Sequence, residues 1–340
     1  MSWKTSVAVI ATSSFLALAL AEASLRVLKI GVLYYRLQPS SVYHHAHTPS
    51  YEVLVTDPNE EYGGHYVIYD INGHRTGTRH RMNIFNDDNS EAIVFLGDSF
   101  TEGHQVSYHK SFVGLLGERL NRATLNLGVS SYSPIIYLVQ VKNIVKHLQA
   151  STVILQVYYN DFNSDRNLGK QAVNQNGVVI AIDGERNKLI TLVRKLYLAR
   201  LFSKARAIVL DKWRNTPKSM ASELHNEPLF AQEQNVTIED IKYTSGIIDE
   251  IRNELQKAQK DLFIFLIPSR ALSKNSLCCA TDKVYNEFKN EMKIRNISFI
   301  DVAEHFEDHS KQPELFFDID IHNTALGHRV IADAIADEID

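Results

Sequence analysis

The sequence predicts an α/β fold built on a parallel sheet, and three features point to it. From residue 92 onward, short β-branched runs alternate with amphipathic stretches of helical period, the pattern of successive βαβ units. The runs are continuously apolar rather than alternating, as strands covered by helices on both faces should be. The 340 residues are 44% hydrophobic and 22% charged, enough to bury a real core in about two domains or one elaborated α/β domain.

The first element stands apart from this pattern. Between Lys4 and Glu22 lie 17 uncharged residues, Thr5 to Ala21, the lower limit for crossing a bilayer and long for the apolar region of a signal peptide. Ala19-Leu20-Ala21 before Glu22 has the form of a signal-peptidase site, whereas the apolar pattern resuming from Val27 to Tyr35 favours a retained anchor. Residues 1–36 are therefore expected to be a signal anchor or a signal peptide, with a buried helix of a cytosolic protein as the third reading. Either export route leads to the cell envelope, with the remaining chain anchored outside the cytoplasm or secreted after cleavage. The flanking charges argue the other way, because Lys4 alone precedes the segment while Arg26, Lys29 and Arg36 follow it.

Residues 37–90 are polar and loop-like, with short strand-like runs such as Tyr66 to Tyr69, and are expected to be a lead-in segment. His44, His45 and His47 raise the question of a metal, but a flexible membrane-proximal loop is the better reading, and neither metal nor cofactor is expected. Five parallel strands follow, at Ala92 to Gly97, Thr124 to Gly128, Thr152 to Tyr158, Asp261 to Ile267 and Ile297 to Val302. Helices fit between them at His109 to Arg122, Pro134 to Leu148, Ile238 to Gln259 and Asp282 to Arg295, with a closing helix from Thr324 to Ile339. Thr237 and Asp240 form an approximate capping box for the third of these.

About a hundred residues separate the third and fourth strands, more than one crossover needs, so an insertion is expected at about 163–236. Asn174 to Gly184 reads as a hairpin turning at Asn176-Gly177, and Lys188 to Trp213 as an amphipathic helix. From Glu185 to Arg214 there are nine Lys or Arg against two acidic residues, so this helix is basic. It could lie on an anionic membrane or line an acidic substrate path, but a solvated face on a helix packed through Leu189, Leu192, Val193, Leu196 and Leu201 is favoured.

Composition removes some functions. Lys+Arg of 36 against Asp+Glu of 40 gives a net charge of -4 and no bulk attraction to nucleic acid. The two cysteines, Cys278 and Cys279, are adjacent and supply neither a disulfide framework nor zinc-binding CxxC spacing.

Chemistry gathers at the predicted strand ends. Gly97-Asp98-Ser99-Phe100-Thr101-Glu102-Gly103 sets a serine at the carboxyl end of the first strand, where open α/β sheets bind their ligands. A serine nucleophile needs a base within hydrogen-bond reach and a third group to orient that base. Phe317-Asp318-Ile319-Asp320-Ile321-His322-Asn323 offers both, with His322 as base and Asp320 as its orienting acid, Asp318 being a rival for that place. An oxyanion needs fixed donors. The backbone N–H groups of Ser99 and of Gly128, in Asn126-Leu127-Gly128-Val129-Ser130, and the amide of Asn160, in Tyr158-Tyr159-Asn160-Asp161, all lie at strand ends. The classical α/β-hydrolase elbow is excluded, because Ser99 lacks the second glycine of G-x-S-x-G.

The ordered blocks GDSFTEG, NLGVSSYSP, YYND and DIHNTALGH resemble those of the SGNH or GDSL hydrolase superfamily over about residues 91–340. That resemblance implies a three-layer flavodoxin-like fold with a five-stranded parallel sheet in the order 2-1-3-4-5. It assigns the nucleophile to Ser99, donors to Gly128 and Asn160, and the acid and base to Asp320 and His322. Two departures stand out. Tyr158 occupies a position that is usually glycine in the third block, and the last block is Asp-x-His rather than Asp-x-x-His. The apolar N-terminus with Glu22 and Arg26 also resembles membrane-anchored bacterial members associated with envelope or exopolysaccharide acylation.

The expected function is a serine esterase removing an acyl group, acetyl in the leading reading, from an envelope carbohydrate. An O-acetyltransferase of an exported polysaccharide would use the same residues. A lipid esterase or thioesterase and a non-catalytic carbohydrate-binding module are the other readings. The expected partners are thus an acylated carbohydrate or lipid and, through the N-terminal segment, a membrane.

Overall fold

Following the chain shows how strongly the apolar runs dictate the architecture. A computed structural model describes residues 2–28, 37–57, 60–78, 91–185, 236–269, 282–308 and 314–339, with short pieces between 193 and 202. Helix α1 (Trp3–Val27) starts at Ser2, whose side chain accepts the Thr5 N–H, and buries no residue. Its 25 residues span about 37 Å at 1.5 Å per residue, so it is long and apolar enough to cross a membrane.

The expected lead-in loop contains strands instead. β1 (Leu37–Ser40) and β2 (His44–His47) form an antiparallel hairpin, and β3 (Glu52–Thr56), β4 (Gly63–Tyr69) and β5 (Arg75–Thr76) join the main sheet. The five predicted parallel strands form one part of this sheet, and the three antiparallel strands extend it to eight. The lead-in strands escape a search for apolar runs because β1 and β3 bury no residue, and what β2 and β5 bury is polar, His47 and Arg75. Arg75 is 2% exposed, and its guanidinium donates to the carbonyls of Glu102 and Val106.

The parallel half begins with β6 (Ile93–Leu96), which runs into α2 (Ser99–Glu102). α3 (Phe112–Arg119), β7 (Thr124–Asn126), α4 (Pro134–Asn143), β8 (Thr152–Val157) and α5 (Tyr159–Gly169) follow. The β9 (Ala172–Gln175) and β10 (Val178–Ile182) hairpin leads into the insertion, and α6 (Ile238–Lys257), β11 (Asp261–Leu266), α7 (Lys283–Ile294), β12 (Ser298–Phe299), α8 (Val302–Asp308) and α9 (Ala325–Ile339) complete the chain. The sheet order is β12-β11-β8-β6-β7-β5-β4-β3. Its parallel strands thus lie in the chain order second, first, third, fourth, fifth. Arg75 of β5 pairs antiparallel with Asn126 of β7, so the hairpin covers what would otherwise be an open sheet edge.

β6 and β8 are buried at every residue, in keeping with helices on both faces. α3, α8 and α9 pack together on one side and α4, α5, α6 and α7 on the other. Phe112 of α3 meets Phe95 and Phe265 of the sheet, while Phe162 of α5 meets Phe288 of α7.

Several boundaries move for local reasons. A 3-10 turn at Tyr108–Lys110 precedes α3, which starts only after Ser111 accepts the Gly114 N–H. α4 stops at Asn143, and β12 is shorter than its apolar run. The Asn176-Gly177 turn has φ of 51° and 79°, the left-handed pair that a two-residue hairpin requires. Thr237 and Asp240 cap α6 reciprocally. The predicted helix from Lys188 to Trp213 lies largely outside the described residues, as do both cysteines. Of that segment, the Tyr197 and Leu198 N–H groups donate to the Glu22 carboxylate at 3.0 and 2.9 Å.

Candidate active site

The turn from β6 into α2 is shaped by crowding. A Cβ on Gly97 would lie 2.0 Å from Thr101 Oγ1 and 2.6 Å from Gln156 Oε1, so glycine alone fits there. Asp98 then caps α2, its Oδ1 accepting the Phe100 N–H at 2.9 Å. Gln156 of β8 holds the turn from the neighbouring strand, accepting from Asp98 N at 3.2 Å and Thr101 Oγ1 at 2.9 Å. Ser99 is thereby the first residue of α2, where a helix-start N–H has no intrahelical acceptor.

His322 arrives from the loop before α9. Its Nε2 lies 2.6 Å from Ser99 Oγ and its Nδ1 bonds Asp320 Oδ1. That same carboxylate oxygen accepts the His322 backbone N–H at 2.9 Å, so the Asp-x-His spacing closes a local turn that aims the ring. Burial opposes ionisation of Asp320. Donation from His322, the attraction of its ring and of His104, and the backbone N–H outweigh it and hold the carboxyl well below the usual range. Of the two rival acids, Asp320 is thus the one bonded to the ring. Phe100 packs between His322 and Tyr158, with ring centroids 4.6 and 4.3 Å away.

Tyr158 accounts for one departure from the expected blocks. It is 1% exposed, has extended backbone and points into the core, so that position does not require glycine. Asn160 is the second residue of α5, and its Oδ1 is buried without a hydrogen-bond partner.

Gly128 is a correction. Its N–H donates to Asn126 Oδ1 at 2.9 Å and is not presented as a donor to Ser99. A Cβ there would sit 2.6 Å from the Glu102 backbone nitrogen and 2.8 Å from Thr101, so the glycine serves close packing behind α2. Three residues on, Ser131 adopts a left-handed φ of 65°, a conformation that a serine gives no sign of in sequence.

Sequence reasoning also missed a buried hub. Glu102 accepts hydrogen bonds from Tyr69 Oη at 2.6 Å, Ser130 N at 2.9 Å and Ser130 Oγ at 2.6 Å, with His47 Nε2 at 3.3 Å. It ties α2, the helix that begins at Ser99, to the lead-in strands and to the loop after β7. His45 bonds the Ser130 carbonyl at 2.7 Å and His44 at 2.7 Å, so these histidines serve that same junction. Among the described residues no group of three or more His, Cys, Asp or Glu side chains could hold a metal ion.

A second buried acidic cluster lies beneath the site. Desolvation raises Asp98, Asp161 and Asp165, with Asp165 pushed up to about 6 despite donors from Ser133, Ile135 and Thr244. Burial, with Arg75 and His322 nearby, takes His328 of α9 down to about 3, so this histidine is neutral, and its Nδ1 accepts the Phe112 N–H at 3.3 Å.

Residues 95–330 match the sequence model of the GDSL-like Lipase/Acylhydrolase family. No curated protein matches the chain. Among solved structures, a lipolytic protein of the G-D-S-L family from Veillonella parvula is 13% identical, with 73% of this chain and 98% of that one covered at a TM-score of 0.42. The acetylxylan esterase Axe2 from Geobacillus stearothermophilus is 14% identical, with 74% and 94% covered at 0.44. A putative acylhydrolase from Bacteroides fragilis is 15% identical, with 74% and 88% covered at 0.40.

Proposed function

As the chain belongs to the GDSL-like lipase/acylhydrolase family, and so is a hydrolase acting on ester bonds, we propose that Ser99, His322 and Asp320 form its catalytic triad. In this reading the triad removes an O-acyl group, acetyl in the leading case, from a carbohydrate of the cell envelope. The observation that carries it is the 2.6 Å contact between His322 Nε2 and Ser99 Oγ, with the other ring nitrogen on Asp320.

Ser99 Oγ attacks the ester carbonyl as its proton passes to His322 Nε2, and the ionised Asp320 stabilises the imidazolium that forms. Collapse of the tetrahedral intermediate breaks the bond to the sugar oxygen, which takes the proton back from His322 and leaves the acyl group on Ser99. Water, deprotonated by His322, then releases the acid. The Ser99 N–H and the Asn160 amide are the proposed oxyanion donors. The peptide N–H of Ser131 is a candidate for the third, in place of Gly128, because its left-handed backbone turns this loop. α1 supports a membrane-tethered position for the enzyme, in keeping with an envelope substrate.

The test is turnover of p-nitrophenyl acetate by the full chain in detergent, with and without sugar acceptors, alongside mass spectrometry for acylated Ser99. Fast hydrolysis with a Ser99 adduct is expected. Ser99→Ala should lower turnover about 10⁴-fold while keeping the fold. Acceptor-dependent turnover would assign an acyltransferase. Preference for long acyl chains would assign a lipid esterase or thioesterase, and equal activity in Ser99→Ala would end the serine-nucleophile reading.

A further inference from the structure

The triad acid is held by residues that lie far from it in sequence and before the family match begins. The turn between β3 and β4 carries Glu61 and Tyr62. Both oxygens of Glu61 accept successive backbone N–H groups of the triad loop, Oε1 from Ile319 at 2.7 Å and Oε2 from Asp320 at 2.8 Å. Tyr62 Oη donates to Asp320 Oδ2 at 3.2 Å, the oxygen that His322 does not use. Within this turn Asp57 Oδ2 accepts the Glu61 N–H at 3.0 Å, and Glu60 takes a left-handed φ of 60°. The Tyr62 ring rests on Phe317 with centroids 5.2 Å apart.

We propose that Glu61 and Tyr62 are positioning residues of the active site, a clamp from the N-terminal hairpin that fixes the Asp320 carboxylate against His322. This rests on the triad reading above. Physically, Asp320 sits on a loop rather than on a strand or helix, so its carboxylate plane has no rigid element of its own to set it. One hydrogen bond at its own N–H, one at the neighbouring Ile319 N–H and one at its Oδ2 supply that constraint, the same role that outer partners play for oriented ligands and bases. The family match starts at residue 95, so the chemistry depends on a hairpin that the match does not include.

The clamp also has an electrical effect. The groups facing Asp320 are His322 on its own loop, His104 after α2, and Glu61 and Tyr62 from the hairpin. Asp98 lies near His322 from the end of β6. The Tyr62 hydroxyl directs its positive end at the carboxylate and so offsets part of the pull that Asp320 exerts on the His322 proton. Removing the hydroxyl should make the base harder to deprotonate, so the rise of activity with pH should move upward.

The test uses the full chain in detergent, p-nitrophenyl acetate, and a fluorophosphonate probe that counts competent serines. Tyr62→Phe keeps the ring on Phe317. It should lower kcat roughly 10-fold with KM little changed, and move the half-maximal pH of kcat/KM upward. Glu61→Gln, which keeps one accepting oxygen, should lose less than Glu61→Ala. In an Asp320→Asn background, Tyr62→Phe should cost little more, because both changes act through one carboxylate. A fall in the labelled fraction with an unmoved pH profile would mean a merely structural hairpin and overturn the proposal, as would losses that multiply in the double variant. Wild-type protein that the probe fails to label at Ser99 would instead overturn the triad reading, and the clamp with it.

Discussion

Replacing Asp165 with asparagine should flatten the dependence of stability on pH. The Asp165 carboxyl is fully buried at the junction of α4, α5 and α6, where Ser133 Oγ, Ile135 N and Thr244 Oγ1 donate to it at 2.6, 2.9 and 2.7 Å. Burial nevertheless outweighs these donors and raises it from 3.8 to about 6. Since the folded value lies above the unfolded one, the folded state holds the proton more tightly. The resulting stability is fully present below the unfolded value and is lost as pH rises through about 6. At about 1.4 kcal/mol per pH unit the full contribution is roughly 3 kcal/mol, of which about 2 kcal/mol disappears between pH 4.5 and 8. Asparagine cannot ionise and contributes no such slope. Urea melts of the full chain in detergent, followed by far-UV circular dichroism at both pH values, give the double difference, in which the altered hydrogen bonds cancel. Wild type should lose about 2 kcal/mol more than Asp165→Asn over that interval. An equal slope in the two proteins would show that Asp165 stays ionised across the range and refute the argument from burial.

The remaining predictions concern catalysis. kcat/KM should climb with pH as His322 gives up its proton; Asp320→Asn should cut the rate and move that climb to lower pH, whereas Asp318→Asn should do little, and the reverse ranking would transfer the acid to Asp318. Asn160→Ala should lower kcat by roughly 10²-fold to 10³-fold with a smaller change in KM, and a pure KM effect would make it a substrate-binding residue. Gly128→Ala should instead lower the melting temperature, because its Cβ would press on the Glu102 backbone at 2.6 Å; a stable variant with a selective kcat loss would restore Gly128 as a donor.

What was legible in the sequence followed from physical strength of signal. The parallel strands announce themselves most clearly where they are apolar on both faces, as in β6, and the Asn176-Gly177 turn because few other pairs tolerate two left-handed residues. Ser99 and His322 stand out in the sequence because one follows a strand and the other precedes the last helix, and the structure brings Nε2 to Oγ. Gly128 misled because a glycine beside a strand end has two possible reasons, an exposed N–H and a close packing contact, and sequence does not separate them. β4 shows in the sequence only as the short run Tyr66 to Tyr69, while β3 buries no residue and β5 buries only the polar Arg75, so neither gives an apolar signal. Val67 and Tyr69 look like a short apolar run, but His47 and Arg75 become core residues only once Glu102 and the backbone carbonyls of its turn are known to lie opposite.

That last point changes where the hydrolase unit begins. A boundary at residue 90 would cut an eight-stranded sheet between β5 and β7, leaving the edge of β7 open. It would also leave the Glu102 carboxylate, 0% exposed, without the Tyr69 hydroxyl and the His47 ring. The Ser130 N–H and hydroxyl would still donate to it, but a buried carboxyl that loses its other contacts is left partly unsatisfied, at a cost of about 1–3 kcal/mol. Glu102 lies three residues after Ser99 on the same short helix. The pressure to satisfy that carboxyl therefore acts directly on the placement of Ser99, while the loss of Glu61 and Tyr62 acts on Asp320, the acid of the proposed triad. Residues 44–76 thus brace both ends of the proposed triad, and in that reading the physical unit of the hydrolase starts in the hairpins and not at the first strand of the parallel sheet.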